Sequence, residues 1–248
     1  MRRWWRSNVQ QRIYRRVARH ARRVHGRGPL LVAIGDSNTD PRCAYTLPRQ
    51  VWLHIVGREG YKTINLGVSG DTTADMRGRI EQTLSGGQPE IVVLFGGVND
   101  AQRGVDPEET LRNVAFMAQW FRDHGIRKIV LMGPALVNWQ PTPDWVSSAD
   151  EVQRVLSDVA ERYGAICVDL AQFLRRRIER GEDPDFSRVR YTQSRSWHVE
   201  AGDPHLNAYG QRLVADAFLA ATAGWRSSPA RRRRWLLRRA RPLPRRGP

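Results

Sequence analysis

Lysine is nearly missing from this chain: Lys62 and Lys128 are its only lysines among 41 basic residues, the rest being arginine. An arginine preference that runs through the whole sequence is compositional, so the arginine count alone does not specify an anionic partner. Acidic residues are absent from residues 1–28 and from 226–248, and each of those segments carries ten arginines. The stretch between them holds 21 basic and 25 acidic residues, a charge near −4, so the net charge of +16 belongs to the ends. Cysteine is equally scarce. Cys43 and Cys167 stand far apart without metal-ligand spacing, which gives no disulfide framework and no cysteine-based metal site, and fits a reducing compartment. No apolar run reaches the roughly 20 residues that span a bilayer. The basic N-terminus lacks the apolar segment and cleavage site of a secretory signal. The expectation is a cytoplasmic protein without signal peptide or transmembrane segment, at most peripheral to a membrane. No glycine-rich phosphate loop followed by Lys-Ser/Thr is present, so nucleotide hydrolysis has no support.

What the chain does have is one core's worth of apolar residues, 40% of 248, enough for a single domain with appendages. Three parts are expected. Residues 1–28 form a basic amphipathic helix, with Trp5, Val9, Ile13, Val17, Ala21 and Val24 at helical spacing among arginines. Its stripe would either pack on the domain or lie on an anionic membrane surface. Residues 29–225 form the domain. Residues 226–248, Arg-rich with four prolines, read as a disordered tail.

Within the domain, apolar runs of strand length alternate five times with helical patterns. Strands are expected at 30–34, 62–66, 90–95, 128–132 and 165–170. Helices are expected from Pro48, around Met76 and Ile80, after an Asp106 cap with Pro107, after a Ser148 cap, around 171–180, and after an Asn207 cap. The run Ile91-Val92-Val93-Leu94-Phe95 is apolar on both faces, as a central parallel strand should be. Such alternation predicts an α/β fold with three layers, α/β/α: a doubly wound sheet of about five parallel strands.

Chemistry gathers at the strand ends. The first strand stops in Gly35-Asp36-Ser37, the second in Gly67-Val68-Ser69-Gly70-Asp71-Thr72-Thr73, the third in Gly96-Gly97-Val98-Asn99-Asp100, and Asp203-Pro204-His205 precedes the last helix. The carboxyl edge of an open parallel sheet is where ligands bind. Ser37 there is a candidate nucleophile and His205 its base and then acid. The N–H groups of Ser37 and Gly67 and the Asn99 amide are candidate oxyanion donors. Asp36 and Asp100 read as side chains that hold their turns. Trp139, Trp145, Trp197 and His198 lie on loops at this edge, where they would line a substrate pocket or pack within their own loops. His54 and His124 fall in helix contexts as surface or boundary residues.

These four blocks, in this order, resemble the SGNH hydrolase superfamily, the GDSL esterases and lipases. Ser69-Gly70-Asp71-Thr72-Thr73 looks most like the arylesterase, lysophospholipase and acyl-thioesterase branch. The resemblance implies a flavodoxin-like sheet and hydrolysis of carboxylic esters through an acyl-serine, without metal or other cofactor. It also implies an acid three residues before the histidine, where this chain has Gly202. Asp203, two residues before His205, is the expected third member, with Glu200 the alternative and a Ser–His dyad the fallback. The expected partner is a small-molecule ester. The basic ends suggest contact with anionic membranes, nucleic acid is not expected as a specific partner, and the sequence leaves the oligomeric state open. Two competing functions remain: a carbohydrate O-acetylesterase, and a non-catalytic protein binding anionic surfaces on the same fold.

Overall fold

Short runs of Val, Ile and Leu that are apolar on both faces need helices above and below them. The computed structural model, which describes residues 28–42, 48–134, 143–180 and 205–225, shows that arrangement. Strands β1 (Leu30–Gly35), β2 (Lys62–Gly67), β3 (Ile91–Phe95), β4 (Lys128–Met132) and β5 (Ile166–Val168) form one sheet in the order β2-β1-β3-β4-β5, every neighbouring pair parallel. The chain leaves β1 to one side for β2 and returns to the other for β3. That reversal opens a crevice at the carboxyl ends of β1 and β3. Register places Gly35 beside both Gly67 and Phe95, so the three strands stop level with one another.

Alternating strand residues feed two cores. Leu31, Ala33, Val93, Phe95 and Val130 point to one face, where they pack with α1 (Trp52–Arg58), α6 (Leu170–Glu179) and α7 (Ala208–Ala221). Ile34, Val92, Leu94, Ile129 and Leu131 point to the other, against α2 (Thr73–Arg77), α4 (Pro107–Asp123) and α5 (Pro143–Tyr163). The short α3 (Val98–Gln102) follows β3 directly and carries Asn99 in its first turn.

The expected five strands and the caps Asp106 and Asn207 are all present. Asp106 accepts the Glu108 N–H at 2.8 Å, and Asn207 accepts the N–H groups of Tyr209 and Gly210, each at 3.0 Å. Three expectations need correcting. The helix around Met76 and Ile80 is two pieces, because Gly78 ends α2 and a 3-10 turn (Ile80–Leu84) follows. Pro48 opens a 3-10 turn (Pro48–Gln50), and α1 starts only at Trp52. Ser148 does not cap α5 but lies inside it, the helix starting at Pro143, a residue whose fixed φ suits a first turn. The basic helix expected within 1–28, apart from residue 28 itself, and the tail at 226–248 lie outside the described residues.

Candidate active site

Ser37 follows β1 after two residues, at the start of a turn closed by the N–H groups of Thr39 and Asp40 on the Asp36 carbonyl, at 3.1 and 3.0 Å. The glycine ahead of it is a packing requirement, since a Cβ on Gly35 would stand 2.6 Å from Thr39 Oγ1 and 2.7 Å from the Phe95 carbonyl. Asp36 fills the structural role expected of it: its Oδ1 accepts the Asn38 N–H at 2.8 Å. Its Oδ2 is enclosed without a hydrogen-bond partner. Burial, reinforced by the charges of Asp71 and Asp100 and opposed by the Asn38 N–H, pushes this carboxyl up to about 7. Ser37 itself is 5% exposed, and its N–H donates to no other described residue.

The Gly67 N–H is not available to a substrate, which corrects the sequence expectation. Asn65, two residues earlier, turns its Oδ1 onto that N–H at 2.9 Å and its Nδ2 onto the Thr39 carbonyl at 2.7 Å. The Asn-x-Gly spacing is the sequence signal of such a turn. Gly67 is required for a different reason: a Cβ there would lie 2.4 Å from the Asp40 nitrogen. Among the N–H groups of this loop, Val68 donates to the Gly35 carbonyl, Ser69 to Asp40 Oδ2 and Asp71 to the Val68 carbonyl. The Gly70 N–H donates to no other described residue. Gly70 has φ +78°, and its carbonyl is turned away to accept Arg103 Nη2 at 2.7 Å.

Asn99 is held beside this loop. Its Nδ2 donates to the Asp71 carbonyl at 2.9 Å, leaving the second amide proton unspent. Gly97, with φ +97° and no room for a Cβ against Val152, makes the sharp turn from β3 into α3. Next to Asn99, Asp100 reaches across to the Thr73 N–H (3.0 Å) and hydroxyl (2.5 Å), so it clamps two loops together. Burial raises the Asp100 carboxyl, against the pull of the Thr73 bonds. Arg79, 6% exposed, sits beneath both loops. It binds Asp71 Oδ2 at 2.6 Å, the Leu66 carbonyl at 2.7 Å and the Gly35 carbonyl at 3.0 Å. One guanidinium thus spans the ends of β1 and β2 and the loop that carries Gly70. Nothing in the sequence marks Arg79 out among so many arginines.

His205 arrives from the opposite side, immediately before α7. Its neighbour Leu206 donates its N–H to Asn38 Oδ1 at 3.1 Å, joining the chain after the histidine to the residue after the serine. Ser37, Asn99 and His205 therefore share one edge. Asp203, Glu200, Trp139, Trp197 and His198 lie outside the described residues, and Trp145 falls in the first turn of α5 with its side chain undescribed. His54 and His124 are exposed, the latter stacked on Trp120. Cys167 is half-buried, and burial raises its thiol. No group of three or more metal-ligating side chains occurs among the described residues, and no helix there is long and apolar enough to cross a membrane.

Compared with known proteins, residues 33–213 match the GDSL-like lipase/acylhydrolase family. Esterase TesA of Pseudomonas aeruginosa is 38% identical over 109 residues, 42% of this chain and 53% of that protein. The match thus spans about half the length of that relative. An acetylxylan esterase of Geobacillus stearothermophilus is 25% identical over 174 residues, 58% of this chain and 77% of its own. Among solved structures, LAE5, an alpha/beta hydrolase enzyme from the metagenome of Lake Arreo, superposes with a TM-score of 0.62 at 21% identity. It covers 82% of this chain and 99% of its own, and shows the same fold.

Proposed function

The chain belongs to the GDSL-like lipase/acylhydrolase family, and from that premise we propose that it is a serine esterase that hydrolyses carboxylic esters through an acyl-serine intermediate. The observation that carries the reading is that the Ser37 and Gly70 N–H groups donate to no other described residue and that one Asn99 amide proton is unspent, all three on segments that follow β1, β2 and β3. Free donors of this kind are what a tetrahedral oxyanion requires. In the first half of the reaction His205 takes the proton of Ser37 as Oγ attacks the ester carbonyl. The carbonyl oxygen, now negative, is held by the three donors. Collapse returns the carbonyl and expels the alcohol, which leaves with the proton from His205. Water then attacks the acyl-serine with His205 again as base, releasing the acid and restoring Ser37. Asp203 is the proposed partner of the imidazole, with Glu200 as the alternative; a carboxylate there fixes the tautomer and stabilises the imidazolium.

Ser37→Ala should abolish hydrolysis of a p-nitrophenyl ester while leaving the fold intact, because the hydroxyl contributes little core area. Asn99→Ala should lower kcat by about 10² to 10³, the usual effect of losing one oxyanion donor. Full activity in Ser37→Ala would end the proposal.

A second substrate reading, acetyl esters of carbohydrates, is favoured by the length of the match to the acetylxylan esterase, which spans more of both proteins than the match to TesA does. Release of acetate from an acetylated xylo-oligosaccharide, set beside a chain-length series of p-nitrophenyl esters, decides between them. The basic ends are proposed to bring the enzyme to anionic membrane surfaces, ten arginines and no acid at each end being the support.

A further inference from the structure

The family to which this chain belongs is named for Gly-Asp-Ser-Leu, whereas this chain reads Gly-Asp-Ser-Asn, and the asparagine is engaged through its N–H, its side-chain oxygen and its carbonyl. Asn38 is 6% exposed and makes three bonds. Its N–H donates to Asp36 Oδ1 at 2.8 Å, its Oδ1 accepts the Leu206 N–H at 3.1 Å, and its carbonyl accepts Gln211 Nε2 at 3.0 Å. Gln211, 1% exposed on the first turn of α7, completes the link by accepting the Trp52 N–H at 2.9 Å on its Oε1. Asn38 is thus bonded on one side to the turn that presents Ser37 and on the other to the residue that follows His205. Gln211 ties the same point to the start of α1.

From this arrangement we infer that Asn38 is a positioning residue, held by Gln211, that sets the approach of His205 to Ser37. The inference rests on the reading of Ser37 and His205 as nucleophile and base. Two groups that must exchange a proton come from chain positions 168 residues apart, and no strand register joins β1 to the segment that carries His205. Proton transfer needs a heavy-atom separation of about 2.6–3.2 Å, and a displacement of about 1 Å at a reacting pair costs on the order of 10²-fold in rate. The Asn38–Leu206 bond spans the two segments directly. A leucine at position 38 offers no acceptor, which leaves the Leu206 N–H to find another partner and frees the histidine side of the pair to shift. Because this link touches neither the ester nor the oxyanion, its loss should slow the chemical step and leave substrate binding alone.

The test is steady-state hydrolysis of p-nitrophenyl acetate by wild type, Asn38→Leu, Gln211→Leu, His205→Ala, Ser37→Ala and the double variant Asn38→Leu/His205→Ala, each checked for folding by circular dichroism. Asn38→Leu is expected to lower kcat 10- to 100-fold with KM within twofold of wild type. Gln211→Leu should do the same to a smaller extent. In the His205→Ala background, adding Asn38→Leu should cost nothing further, because there is no imidazole left to place. If Asn38→Leu fails to fold, Gln211→Leu and its double variant with His205→Ala carry the same decision. A folded variant with wild-type kcat overturns the inference, as does an equal loss with and without His205. Activity in Ser37→Ala overturns instead the reading of the site on which the inference rests.

Discussion

Asp36, one residue before the proposed nucleophile, is a carboxyl that the fold prefers neutral. Its usual value of 3.8 is pushed to about 7 by burial, with Asp71 and Asp100 adding to the effect. The unfolded chain releases this proton near pH 4 and the folded chain only near pH 7. Between those values the folded state therefore binds more protons, and stability falls as pH rises through the window. The difference corresponds to on the order of 4 kcal/mol at most. Asp36→Asn, which keeps the Oδ1 acceptor for Asn38, should flatten the decline of Tm between pH 4 and 7 and raise Tm at pH 8. A Tm profile parallel to wild type would contradict this. At the same scale the sequence put Ser37 and Asn99 just past the first and third strands and His205 just before the last helix, and the structure has them at those places. The sequence was unreadable where one backbone N–H had to be chosen from several. Gly67 ends β2 and Gly70 lies in the loop after it, and the Asn65 side chain, folded back on the Gly67 N–H, is what leaves Gly70 as the proposed donor. Asn38 carried no signal as a lone polar residue, because its partner lies 168 positions away.

The loops that build the site are joined to one another and to the strand ends by side chains. Arg79 binds Asp71 and the last carbonyls of β1 and β2, Asp100 clasps Thr73 at the start of α2, and Asn99 hangs from the Asp71 carbonyl. Removing the guanidinium takes the buried ion-pair partner from Asp71 and one donor from each of the Leu66 and Gly35 carbonyls, the latter keeping the Val68 N–H. Arg79→Met should therefore cost about 3–5 kcal/mol in chemical denaturation, the range for breaking a buried ion pair from one side. A loss below about 1 kcal/mol, the range of an exposed pair, would show that the cluster rearranges freely. Element existence followed from apolar periodicity and caps, so β1 to β4, α4 and α7 stand where their patterns put them, while β5 keeps only Ile166–Val168 of the expected 165–170 because Leu170 opens α6. Boundaries shifted where tertiary packing or a glycine overrode the local signal. Gly78 divides the segment that buries both Met76 and Ile80, and α5 runs back past Ser148 to Pro143. The buried side of α4 is centred on Thr110, Asn113, Val114, Met117 and Phe121, with polar residues turned inward toward the Asp100–Thr73 clasp. Hydrophobic periodicity does not report polar residues buried for such a clasp.

For the whole molecule, the strand order β2-β1-β3-β4-β5 places the reversal of direction beside β1, so the edge where Ser37 stands is also where the topology leaves a crevice. That placement was legible in advance because parallel strands joined by helices allow few arrangements. The charge layout was equally legible, a slightly acidic domain between two strongly basic ends. The full chain should sediment with vesicles containing phosphatidylserine at low salt, and removing residues 1–28 should weaken this while leaving p-nitrophenyl ester hydrolysis unchanged. Indifference of the full chain to such vesicles would refute the membrane proposal. The proposed ester hydrolysis depends on one activated hydroxyl, and a fluorophosphonate reads that property directly. The full-length protein treated with the probe, digested and analysed by mass spectrometry should carry a single phosphonyl adduct on Ser37, absent from Ser37→Ala and strongly slowed in His205→Ala. An unlabelled wild-type protein, or an adduct on another residue with Ser37 untouched, would contradict the account.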